Sequence, residues 1–75
     1  MRELIEYMAK SLAQHPDDVR VTEAGGHHHT IYRLHVAQED IGRMIGKGGR
    51  VANAMRALLN IAAIKQERRV TLDIE

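Results

Sequence analysis

The stretch DIGRMIGKGGR, residues 40–50, holds four of the chain's six glycines within eight positions. Apolar residues at helical spacing flank it on both sides, and glycine is a poor helix former. One helix cannot run through residues 39–65 with that interruption. The pattern predicts a short helix, a turn of bare main chain and a longer helix. Glycine used this way leaves the backbone open to whatever presses against it.

The other segments supply layers for those helices. Residues 2–13 place Leu4, Ile5, Met8, Ala9, Leu12 and Ala13 at i, i+3, i+4 spacing, a helix with one apolar stripe. HPDD ends it, because Pro16 holds the preceding residue extended and the two acids favour a turn. DVRVTEA alternates Val19 and Val21 with Arg20 and Thr22 and predicts a short strand. AGGHHH is expected as a flexible hairpin loop. TIYRLHV follows as a strand with Tyr32, Leu34 and Val36 on one face. Glu39 and Asp40 stand at the positive end of the short helix's dipole. Ile41, Met44 and Ile45 are its apolar residues. From Gly49 or Arg50 the longer helix runs to about Lys65, its stripe being Val51, Met55, Leu58 and Ala62, with Ala52, Leu59 and Ala63 beside it. RRVTLDIE alternates again, with Val70, Leu72 and Ile74 inward. The order α-β-β-α-α-β in one domain, residues 1–75, is an α+β fold with a three-stranded sheet and three helices on one face. Two helices before the last strand permit a parallel pairing without requiring it.

Composition narrows the function. The 75 residues carry 44% hydrophobic side chains in periodic blocks, which excludes disorder. There is no cysteine, so no disulfide framework, thiolate nucleophile or zinc knuckle. No segment approaches the roughly 20 apolar residues of a membrane span, and the start lacks a signal-peptide pattern. A soluble, cytoplasmic protein is expected. Net charge is only +1, so any nucleic-acid contact must come from local clustering. Arg43, Lys47 and Arg50 do cluster around the glycines, and Lys65, Arg68 and Arg69 cluster near the C-terminus.

Three readings of the glycines compete. Gly42, Gly46 and Lys47 approach a P-loop, but the spacing is short and no Ser or Thr follows the lysine. Gly46 and Gly48 begin a dinucleotide fingerprint, but Val51 stands where its third glycine belongs. Helix, G-x-x-G, helix fits: Gly46 and Gly49 are the fixed pair, with Lys47 and Gly48 between them. Such a turn offers backbone N–H groups at the head of the next helix, where anions are favoured. A phosphodiester chain can lie there beside Arg43, Lys47 and Arg50, with bases in the adjoining groove.

On those residues, IGRMIGKGGRVANAMR resembles the signature of the KH domain, whose G-x-x-G loop clamps about four nucleotides of RNA backbone. The element order matches that family's bacterial, type II arrangement across essentially the whole chain. Within it the sequence is similar to the KhpA group of stand-alone single-KH proteins. The resemblance implies a cytoplasmic protein binding single-stranded RNA, as a homodimer or paired with a larger KH-containing partner. It also implies an RNA chaperone or post-transcriptional regulator affecting cell shape and cell wall growth. Carried over by position, Ile45 and Gly46 are the aliphatic-glycine start, Lys47 and Gly48 the variable pair, and Gly49 the closing glycine. Ala52 stands where the family has a larger aliphatic residue, which implies a thinner groove wall. The resulting RNA-binding set is Ile41, Arg43, Ile45, Gly46, Lys47, Gly48, Gly49 and Arg50, with residues 31–36 expected alongside.

Blander roles compete with these. Ile41, Ile45, Val51 and Met55 are core residues for most of their surface. Lys65, Arg68 and Arg69 suit a basic helix end stabilised by the dipole. His27, His28 and His29 point in different directions and make a poor metal site, so neither metal nor cofactor is expected. Acidification raises that loop's charge, and RNA affinity with it if the loop borders the groove. No nucleophile–base set and no deep pocket suggest an enzyme, and no small-molecule substrate is expected. The rivals are a protein-interaction module pairing with another KH chain, its RNA contact weak or lost, and a DNA-binding helix-turn-helix over residues 39–64.

Overall fold

The computed structural model describes residues 1–75 as α1 (Arg2–Leu12), β1 (Arg20–Gly25), β2 (His29–His35), α2 (Ile41–Ile45), α3 (Arg50–Lys65) and β3 (Arg69–Ile74). Single 3-10 turns occupy Pro16–Asp18, Gln38–Asp40 and Lys47–Gly49. Alternation in β2 sets the layers: Thr30, Tyr32 and Leu34 are buried, while His29, Arg33 and His35 are exposed. The strand order is β1-β2-β3, with β2 central. β1 pairs with it antiparallel, joined by a short hairpin. β3 pairs with it parallel, placing Tyr32 opposite Leu72. A parallel pair needs a crossover of a dozen or more residues, and α2 with α3 provides it.

The core fills the space between the sheet and the three helices. Ile5 and Ala9 of α1, Met44 of α2, and Met55 and Leu59 of α3 meet Val21, Tyr32, Leu34 and Leu72 of the sheet. Each buried aliphatic side chain contributes about 1.5–3 kcal/mol. No helix is long and apolar enough to cross a membrane.

Three expectations are corrected. The face α3 turns to the sheet carries Ala52, Met55, Leu59 and Ala63. Leu58, expected inside, is 53% exposed, and Ile61 and Ile64 point outward with it. Apolar residues occur nearly all round α3, so periodicity does not say which side meets the sheet. Ala52 lies in that buried face and is not a groove wall. His29 belongs to β2 and not to the loop; its Nε2 lies 3.0 Å from Thr71 Oγ1 on the neighbouring strand. Asp40 does stand at the head of α2, as expected, and is completely buried there.

Candidate nucleic-acid interface

The glycine turn is built from its first residue. α2 ends at Ile45, and Gly46 redirects the chain with φ 76° and ψ 170°. Its N–H donates to the Gly42 carbonyl at 2.8 Å. A Cβ here would lie 2.6 Å from Val51 Cγ2 and 2.9 Å from Val51 N, so only glycine lets the end of α2 approach the head of α3. Gly48 also has a positive φ, 66°, but open space surrounds the place of its missing Cβ. Lys47 and Gly48 are exposed, whereas Gly46 and Gly49 are half-buried.

The turn is tighter than a loop of free amides. The Gly49 N–H donates to the Gly46 carbonyl at 3.1 Å, and the Arg50 N–H donates to the Lys47 carbonyl. Two N–H groups expected to face outward are therefore used within the 3-10 turn, leaving Lys47–Gly48 as its open tip.

Asp40 anchors the short helix that leads into this turn. Its carboxylate accepts the Gln14 N–H at 3.0 Å and the His15 N–H at 2.9 Å, tying the start of α2 to the chain leaving α1. Arg43 Nε lies 3.7 Å from Asp40 Oδ1. Burial alone would push this carboxyl up. The two backbone donors, with His15 and Arg43 nearby, outweigh burial and hold it below its ordinary value.

The other expected residues divide between two sides of the turn. Arg43 is exposed one turn before it, and Ile45 is 40% exposed beside it. Ile41 is half-buried and packs against the core. Arg50 is exposed but lines an apolar hollow between α1 and α3, with Tyr7, Val51 and Leu58. It stands on the α1 side of the turn.

On the opposite side of α3 lies a seam that the sequence reading did not assign. Asn53, Arg56 and Asn60 recur at helical spacing and are all exposed. Arg56 reaches across to β3: Nε and Nη2 donate to the Leu72 carbonyl at 3.2 and 3.1 Å. Asn60, Val70 and Thr71 line the hollow of about 230 Å³ next to this contact. β3 is an edge strand, so its outer backbone groups have no strand partner. Of residues 31–36, expected along the site, His35 and Val36 line a hollow with Ile41, while the edge strand beside α3 is β3. The available signal was three polar residues at i, i+3 and i+7 in an otherwise apolar helix.

A family model described as KhpA/KhpB, KH domain, matches residues 2–74. The chain is 49% identical over 74 residues to RNA-binding protein KhpA of Halalkalibacterium halodurans, covering 99% of this chain and 97% of that one. It is 47% identical to the protein of that name from Caldanaerobacter subterraneus subsp. tengcongensis and 46% identical to that from Clostridium acetobutylicum, covering 99% of both chains in each case. No solved structure matches.

Proposed function

We propose that this chain, which belongs to the KhpA/KhpB family of KH domains, binds single-stranded RNA by its backbone at the Gly46–Gly49 turn and lays the following bases along the α3–β3 seam. The observation that carries the reading is the exposed Lys47–Gly48 tip, free of bulk at Gly48 and set at the head of a 16-residue helix. Main-chain N–H groups at a helix head attract phosphate oxygens, and Lys47 adds a mobile positive charge. Arg43 and Arg50 flank the path, with Ile45 as the aliphatic contact and Ile41 behind it. Relatives bearing the name RNA-binding protein KhpA support the ligand class.

The aromatic side chains favour this mode over base stacking. Tyr32 is in the core, and Tyr7 lies on the α1 side, away from the seam. A stacking platform of the RRM or cold-shock kind has no material here. Gripping backbone with little base readout suits a cytoplasmic RNA chaperone or post-transcriptional regulator. The effect on cell shape and wall growth rests on the family resemblance.

Dimerisation belongs to the same reading. Ala54, Leu58 and Ile61 are exposed on α3, away from the Asn53–Arg56–Asn60 side. Pairing there with a second copy or a larger KH-containing partner would join two weak RNA sites and raise their effective affinity.

Fluorescence anisotropy with a labelled single-stranded RNA tests the turn. Lys47→Asp/Gly48→Asp replaces its open tip with two carboxylates, and aspartate is among the residues that tolerate positive φ. The double variant stays folded and loses at least about tenfold in affinity, roughly 1.4 kcal/mol. Undiminished binding by the folded variant sinks the proposal.

A further inference from the structure

Two sequence features with no role in that site meet at the far end of the sheet. β2 and β3 are parallel and begin together, His29 in register with Arg69. The hairpin tip is fastened to the turn after α3: the Arg69 N–H donates to the His28 carbonyl at 2.8 Å. Arg68 donates from Nη2 to Thr30 Oγ1, while its Nε is shut off from solvent without a partner. The rings of His27 and His28 stand edge to face, 5.5 Å between centroids. The histidine run thus shares one surface with Arg68 and Arg69.

That surface is continuous with the α3–β3 seam. The seam's hollow shares Asn60, Val70 and Thr71 with a second hollow of about 450 Å³, which His29, Arg68 and Arg69 also line. Arg68 in turn borders a polar hollow of about 300 Å³ with His27, Thr30 and Glu23. At 1.5 Å per residue, α3 carries the path about 24 Å from the glycine turn to Lys65.

We propose that the RNA path continues down the α3–β3 seam to a second phosphate contact, formed by His27, His28, His29, Arg68 and Arg69 and gated by protonation. The proposal rests on the RNA reading above and extends its footprint beyond the nucleotides held at the turn. Charge at this end explains the gating. Glu23 on β1 and Glu67 in the turn oppose Lys65 on α3, Arg68 in the turn and Arg69 on β3. Three cations against two carboxylates leave one net positive charge, and three protonated imidazoles raise it to four. Imidazole is the side chain that ordinarily gains its proton between about pH 8 and pH 5. With acidification, this end changes from nearly balanced to strongly attractive for a polyanion.

The test compares labelled single-stranded RNAs of about four and about twelve nucleotides, at about pH 8 and about pH 5.5, with wild type and His27→Gln/His28→Gln/His29→Gln. The longer RNA binds wild type about tenfold more tightly at the lower pH, while the shorter changes by less than about twofold. The triple variant, folded by circular dichroism, binds the short RNA as wild type does and loses the acid gain on the long one. His15 and His35 remain in that variant and control for general titration. Equal pH dependence for the two RNAs, or an acid gain that survives the triple substitution, overturns the second contact. Failure of wild type to bind either RNA overturns the RNA reading itself.

Discussion

One added methyl group separates two kinds of constraint at the glycine turn. At Gly46 alanine meets both a nearly glycine-only backbone conformation and Val51. Strain and overpacking together cost about 3 kcal/mol. At Gly48 alanine meets only the left-handed backbone, at about 1 kcal/mol. Urea unfolding of Gly46→Ala and Gly48→Ala should therefore rank the first well below the second. Asp40→Asn is expected to destabilise at neutral pH, because a carboxamide offers one acceptor oxygen where two N–H donors converge. The carboxyl's folded pKa lies below its ordinary 3.8, so its contribution is present above that value and disappears as pH falls through the folded pKa. Urea midpoints should separate wild type from Asp40→Asn at pH 7 and converge in strong acid. Asp40 shows what local reading misses: its partners are 25 and 26 residues earlier in the chain, beyond the reach of any helix-dipole argument.

Among the elements, α3 decides most. Its two apolar sides are equally visible as letters, yet one is core and the other is exposed. Leu59→Ala, at a position 1% exposed, should cost about 2–5 kcal/mol, whereas exposed Ile64→Ala should stay within about 0.5 kcal/mol. Thermal melts read the contrast directly, since about 1 kcal/mol moves the midpoint of a domain this size by roughly 4–8 °C. Leu58→Asp/Ile61→Asp should leave the fold intact and render the chain monomeric in sedimentation equilibrium. A dimer of undiminished strength would remove this face from the proposed interface. β2 and β3 were legible from alternation because each turns one face to the helices, whereas β1 buries Val21 alone and was marked by Val19 and Val21. Which strand stands at the edge was not, because strand order is a property of the assembled sheet.

For the molecule as a whole, the turn and the seam are legible to different degrees. Glycines at 46, 48 and 49 between helical patterns announced the turn, and all three have positive φ. The seam required knowing that β3 is an edge strand beside α3 and that Arg56 bonds to the Leu72 carbonyl. No local pattern encodes that meeting of residues 16 apart. RNA lying across the Lys47–Gly48 tip and then along α3 and β3 would perturb a defined set of amides in an NMR titration with a short single-stranded RNA. Shifts are expected at Gly46–Arg50, Asn53, Arg56 and residues 70–72, and none of them in Lys47→Asp/Gly48→Asp. Shifts confined to the outer face of the sheet or to α1, with the turn unmoved, would contradict that path.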